Sequence, residues 1–290
     1  METPKRTALA LTAVLLFLRV PFASFADDRP ELTVWVLGMR PGWKAAMKRF
    51  EGESRFEVVA SVYGTNMDPQ KLMCGIAGGS PPDVIYQDRF AVGGWAARDA
   101  FLPLDRYLAK SSVIRKADFY PAAWDEACYK GKVYAVPIGT DDRALYYNRD
   151  HLKAAGLVDE SGEAKPPQTW DELKAYALKL SQYDPDKSIR ARTPCVRRLG
   201  FIPNFGNSWL YFYGWQNGGE FMNEDRTKVT LNEPRIAGAL QYMVDIYDAL
   251  GGVEEVDKFR SGFEAGEHDP FGIGKISMVI TGSWHLDNLA

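Results

Sequence analysis

LTVWVL (Leu32–Leu37), FEVVASVY (Phe56–Tyr63) and DVIY (Asp83–Tyr86) are three short runs of β-forming residues, and two helical patterns separate them. Each run is bounded by glycine, proline or polar residues, the signature of a short buried strand. Between the first two, Trp43, Ala46, Met47 and Phe50 fall at i, i+3, i+4 and i+7, one face of a helix. Between the second and third, Leu72, Met73, Ile76 and Ala77 line one helical face within Asp68–Ala77, and Gly78-Gly79 stops it. Strand, helix, strand, helix, strand predicts a parallel α/β arrangement.

Working outward, VYAV (Val133–Val136) and ALYY (Ala144–Tyr147) predict an extended stretch with a polar middle at Gly139–Arg143. Thr169 with Glu172 forms a capping box for a helix faced by Trp170, Leu173, Ala177 and Leu180. Leu199–Ile202 reads as a strand and Asn223–Asn232 as a small hairpin. Pro234 opens a long helix whose apolar face is Ile236, Ala239, Leu240, Met243, Val244, Tyr247 and Leu250. Lys275–Thr281 reads as a last strand. There is no internal repeat and no low-complexity linker.

The 290 residues are 46% hydrophobic and 25% charged, proportions that exclude a disordered or collagenous chain. A net charge of −3 leaves no global basic footprint for nucleic acid. Aromatic residues are plentiful, with 8 Trp, 14 Tyr and 15 Phe. Lys5-Arg6, the apolar run Ala8–Leu18 and Ser24-Phe25-Ala26 read as a secretory leader cleaved after Ala26. The run is shorter than the about 20 apolar residues of a spanning helix, and no lipid-accepting cysteine lies near the cut. Cys74, Cys128 and Cys195 form no CxxC or zinc spacing. In an oxidising compartment either one pair bridges or all three are small buried hydrophobes.

A search for chemistry finds no catalytic set. His151, His268 and His285 are far apart, and no HExxH, GxSxG, P-loop or EF-hand pattern occurs. Asp141-Asp142 and Asp184/Asp186 are acidic pairs, and any acidic pair could be glycosidase carboxylates, but a turn or a solvated face is the better account of such a pair alone.

Five stretches, in order, resemble the extracellular solute-binding proteins of ABC transporters, in the sugar-binding, maltose-binding-protein-like family. They are Gln70–Phe90 with its Gly-Ser-Pro-Pro-Asp turn, Gly131–Leu157, Pro166–Leu180 with Pro-x-Thr-Trp-Asp-Glu-Leu, the segment from Asn217 to Gly252, and Gly274–Leu289. The resemblance implies an α/β, two-lobed periplasmic binding protein fold (type II). Each lobe would be a mostly parallel sheet flanked by helices, with hinge crossings between the lobes. It places the leader at 1–26, the first lobe at 27–139, the second at 140–275 and a strand returning to the first lobe at 276–290. Family members run on further, so the resemblance also implies a C-terminally truncated chain.

Sugar sites need aromatic faces for the C–H face of the pyranose and planar polar groups for its hydroxyls. On that basis the resemblance assigns ligand binding to Arg40 and Trp43 after the first strand, and to Gln87, Asp88 and Arg89 after the third. It adds Asp141, Asp142 and Arg143 at the first crossing, Asn207 and Trp209 in the second lobe, and Trp284 at the second crossing. The aromatics Tyr211, Phe212, Tyr213 and Trp215 read as core. The implied function is the periplasmic, non-catalytic, monomeric component of an importer, without cofactor or metal, carrying a carbohydrate to inner-membrane permease subunits. Alternatives are the same fold binding glycerol phosphate, a sugar phosphate or a polyol, an exported carbohydrate-active enzyme using Asp88 and Asp141, and a non-functional fragment.

Overall fold

A computed structural model describes residues 29–39, 41–63, 68–140, 142–184, 196–263 and 269–289. The leader, Arg40, Asp141, Asp186, Cys195 and His268 lie outside the described residues. The chain divides into two units, Met1–Ile138 and Gly139–Ala290.

In the first unit β1 (Glu31–Val36) lies between β2 (Glu57–Val62) and β3 (Val84–Ile85), parallel to both, with Val36 opposite Val62 and Trp35 opposite Ile85. The helices α1 (Pro41–Glu53) and α2 (Pro69–Ala77) connect these strands, as the periodicity predicts. Asp68 caps α2 by accepting from the N–H of Gln70, and Pro69 sits where no helical donor is needed. Leu72 is buried, but Phe50, Met73 and Ile76 on the predicted apolar faces are exposed.

Helices α3 (Arg89–Ala96), α4 (Asp105–Leu108) and α5 (Pro121–Glu126) follow, with Trp95 and Trp124 buried. A hairpin joins β4 (Cys128–Tyr129) to β5 (Lys132–Val133). Its two-residue turn, Lys130-Gly131, has positive φ at both positions, the twist that matches the paired strands. Within the extended stretch expected from Val133, strand pairing ends at Val133 and resumes at Arg143. Of the two cysteine alternatives, neither describes Cys74, which is free and exposed; Cys128 is free and half-buried, with its thiol donating to the Trp124 carbonyl.

The second unit holds β6 (Arg143–Tyr147), α6 (Arg149–Ala154), α7 (Trp170–Leu180), β7 (Gln182–Tyr183), β8 (Val196–Gly206), α8 (Leu210–Gln216), α9 (Pro234–Ala249), α10 (Val253–Ser261), β9 (Ile276–Gly282) and α11 (Leu286–Leu289). Its sheet runs β6-β9-β8-β7. Residues 276–282 form β9, between β6 and β8, with every residue buried. One detail of the expected plan, the mostly parallel sheet, is corrected in this unit. The sheet is mixed, because β9 is parallel to β8 while β6 pairs with β9, and β7 with β8, antiparallel. The register Arg143–Gly282 shows why: the chain enters along β6 and comes back along β9 to the same end.

The core gathers Leu199, Phe201 and Ile202 of β8, Ile276 and Met278 of β9, Ala177 and Leu180 of α7, and Ala239 and Ile246 of α9. Thr169 caps α7 as predicted. Trp170 stacks on Tyr242, with centroids 4.5 Å apart, and the Tyr242 hydroxyl donates to the Trp170 carbonyl, tying α7 to α9. The Asn223–Asn232 hairpin reduces to one bridge, Met222 to Val229.

Candidate functional site

In the first unit the carboxyl ends of β1 and β3 lie side by side, the end of a parallel sheet at which α/β proteins hold ligands. Trp43, near the start of α1, stands edge-on to Tyr86, with centroids 5.9 Å apart and planes at 84°. Tyr86 itself is anchored by donating its N–H to the Trp35 carbonyl at 2.7 Å. Gln87 follows directly, and its Oε1 is buried with no hydrogen-bond partner. A buried amide oxygen left unpaired is costly, and it retains the capacity to accept from a further donor.

Asp88 heads α3 but its carboxylate makes no capping bond. Arg89 donates through Nε to Glu126 at 2.7 Å, so this guanidinium is tied to α5. Of the residues expected here, the structure gathers Trp43, Gln87 and Asp88, and it gives Arg89 a structural partner.

The second unit brings three of its expected residues, Arg143, Asn207 and Trp284, to one end of its sheet. Arg143 opens β6 opposite Gly282, which closes β9. Gly206 closes β8 opposite Ile280, and Asn207 comes next. The Arg143 guanidinium lies over the Trp284 ring, 4.5 Å from its centroid. Gly282 makes this possible: a Cβ there would lie 2.1 Å from Trp284 Cζ3. Asn207 is fixed by its N–H donating to the Ile280 carbonyl and by the Thr281 hydroxyl donating to its Oδ1. Trp209 precedes α8 and is 42% exposed. Asp142 is exposed beside Arg143.

Sequence reasoning missed Tyr86, Glu126, Tyr146 and Thr281. Tyr86 follows β3 directly, a signal that was present. Glu126 reaches Arg89 from 37 positions away, and Tyr146 donates its hydroxyl to the Gly282 carbonyl only because β6 and β9 are neighbours. The aromatic run also divides. Tyr213 is buried, and burial pushes its phenol above the ordinary value, but Trp215 is 58% exposed and is not core. A concavity of about 580 Å³, lined by Tyr147, Arg149, Lys153, Phe271 and others, lies at the far end of β6 and includes none of the expected residues.

The parallel sheet of the first unit, the mixed sheet of the second and the gathered aromatic and amide groups are those of a solute-binding fold. The chain belongs to the bacterial extracellular solute-binding proteins, a family that matches it over residues 45–290. It is 27% identical over 259 residues to the sn-glycerol-3-phosphate-binding periplasmic protein UgpB of Brucella abortus, covering 82% of this chain and 53% of that protein.

It also resembles the solved structure of CpMnBP1 with mannotriose bound, at 26% identity and a TM-score of 0.75, covering 90% of this chain and 64% of that one. An ABC substrate-binding protein from Listeria monocytogenes in complex with cycloalternan shares the fold at 24% identity and a TM-score of 0.73, over 90% of this chain and 63% of that one. The two-lobed α/β periplasmic-binding fold expected from the sequence is the fold of these structures. The chain spans about half the length of the curated relatives it matches.

Proposed function

We propose that this chain belongs to the substrate-binding component of an ABC importer for a sugar or oligosaccharide. In this reading it is exported to the periplasm through a cleaved leader, acts as a monomer and delivers its ligand to permease subunits without transforming it. The observation that carries the reading is the gathering of an aromatic ring, Trp284, with the planar polar groups of Arg143 and Asn207 at one end of the second unit's sheet. That combination suits a pyranose, which presents C–H faces to rings and hydroxyls to amides and guanidinium groups. The unpaired Gln87 Oε1 and the uncapped Asp88 carboxylate supply acceptors for hydroxyl donors. The saccharides bound to the structural relatives support the same ligand class.

A second reading, glycerol phosphate, is favoured by the UgpB relative. An anionic ligand wants cations at the site, and Arg89 is already neutralised by Glu126. Titration calorimetry with manno-oligosaccharides and with sn-glycerol 3-phosphate, followed by recovery of the ligand, tests all readings. Saturable heat with the saccharide recovered intact is expected. Heat only with the phosphate, cleavage of the saccharide, or no heat at all would each reject the proposal.

A further inference from the structure

We infer that His285 is a positioning residue for Trp284: held against Asp269, its imidazole fixes the turn that presents the indole to the ligand. The inference rests on the sugar-binding reading above and adds to it a residue that acts through Trp284. Trp284 and His285 share the single 3-10 turn Ser283–His285 that follows β9. Their side chains part there. The indole lies under the Arg143 guanidinium, while the imidazole turns inward and is buried.

Three groups surround the imidazole. Tyr146 of β6 stands edge-on to it, with centroids 5.6 Å apart and planes at 81°, and Phe271 lies 5.9 Å away at 53°. The third is Asp269, whose Oδ2 is 3.2 Å from Nε2, an oblique approach rather than an aligned hydrogen bond. Asp269 is itself fixed. Its Oδ2 accepts from the Gly272 N–H at 2.9 Å, and its carbonyl accepts from the Ile273 N–H at 3.0 Å. The Pro270 carbonyl accepts from the N–H groups of Lys275 and Ile276, which fastens this turn to the start of β9. The wholly buried β9 thus has the Asp269 turn ahead of it and the Trp284 turn behind it, and the contact of His285 with Asp269 joins the two. Tyr146 braces the Trp284 turn a second time, because its hydroxyl donates to the Gly282 carbonyl at 3.2 Å.

If filling the space between Tyr146 and Phe271 were the whole requirement, an apolar side chain would meet it without desolvating an imidazole beside a carboxylate. What the polar pair adds is direction. Apolar packing tolerates small slides of a turn, whereas a contact with one fixed oxygen is met in one arrangement only. Trp284 is the adjacent residue, so that arrangement also sets where the indole lies. A ring already in place has less freedom to lose when a sugar stacks on it.

Fluorine NMR of the full chain labelled with 5-fluorotryptophan, and calorimetry with mannotriose, test this in His285→Leu, His285→Gln and Asp269→Asn. Leucine keeps the bulk without the polar group, and glutamine offers an amide nitrogen in place of Nε2. The Trp284 resonance is assigned by its loss in Trp284→Phe. His285→Leu and Asp269→Asn should each shift or broaden that resonance in the free protein and weaken mannotriose about three- to tenfold. His285→Gln should recover most of both effects. In a Trp284→Ala background the same changes should alter affinity by less than about twofold, because their effect passes through the ring. If that background takes up no mannotriose, the resonance alone decides. A Trp284 resonance that stays at its wild-type position and width, a loss that glutamine does not recover, or an equal loss without the indole would overturn the role of His285 and leave the sugar reading in place. No heat from mannotriose with the wild type would reject the sugar reading and this role with it.

Discussion

Arg143 and Trp284 are 141 positions apart in the sequence, yet the guanidinium of one lies 4.5 Å from the ring centroid of the other. The antiparallel pairing of β6 with β9 makes the contact, because it sets Arg143 opposite Gly282, two residues before Trp284. A guanidinium on an indole is a cation–π contact worth about 0.5–2 kcal/mol, according to its desolvation. It also holds the ring, leaving less orientation to be fixed when a ligand stacks there.

Arg143→Ala should therefore release Trp284 and weaken saccharide binding by about 0.5–2 kcal/mol. Arg143→Lys keeps the charge but loses the planar face, and should fall between the two. Gly282→Ala should displace the ring outright, since no room exists for a Cβ. Near-UV circular dichroism reports the ring and calorimetry the affinity; wild-type affinity in all three variants would remove the pair from the site.

Asp88 and Arg89 are adjacent but are predicted to separate in their effects. The Asp88 carboxylate makes no capping bond, so Asp88→Asn should leave the thermal midpoint near wild type and weaken binding by about 1.5–3 kcal/mol, the range for hydrogen bonds to a charged group. Arg89→Met breaks the part-exposed pair with Glu126 and should cost under about 1 kcal/mol of stability, with a smaller loss of affinity. The reverse ranking of affinities would exchange their roles.

Gly200 is a packing requirement at the contact of β8 with α7. A Cβ at this position would lie 2.2 Å from the Ala177 carbonyl oxygen and 2.8 Å from its Cα. Gly200→Ala should cost about 1–3 kcal/mol or more in urea unfolding. Ala177→Gly should not rescue it, because the obstructing atoms are main chain. A Gly200→Ala variant as stable as wild type would show that α7 shifts freely on the sheet.

His151 predicts a pH dependence of stability. Burial first, and then the Arg198 guanidinium, hold its imidazole below the ordinary value, partly opposed by Asp150. Its Nδ1 shares a hydrogen bond with Ser277 Oγ at 3.0 Å. The unfolded chain therefore takes up the proton first as pH falls through about 6.5, so stability drops there and levels once the folded imidazole also protonates. Unfolding midpoints measured from pH 8 to pH 5 should show this fall in the wild type and a flatter profile in His151→Gln. Parallel profiles would exclude His151 as its source.

The strands and helices of the first unit were legible because LTVWVL, FEVVASVY and DVIY alternate with apolar spacings of 3.6, and the cap at Thr169 was legible because capping acts over three residues. Trp43, Gln87 and Asp88 were also within reach, since a residue just after a strand in a parallel sheet must sit at its carboxyl end. Periodicity says that a segment is apolar on one face, not that anything covers that face. Phe50, Met73 and Ile76 satisfy the pattern and remain exposed, and Trp215 reads as core but stands 58% in solvent.

What the sequence determined by itself was the class of each element and the family, because both depend on short-range spacing and local motifs. Tertiary structure alone decided that β9 belongs between β6 and β8, that Arg89 answers to Glu126 and that Arg143 lies on Trp284. Each of these joins residues far apart in the chain. Strand order and ion-pair partners are selected by the packing of the whole unit, so no local stretch carries them.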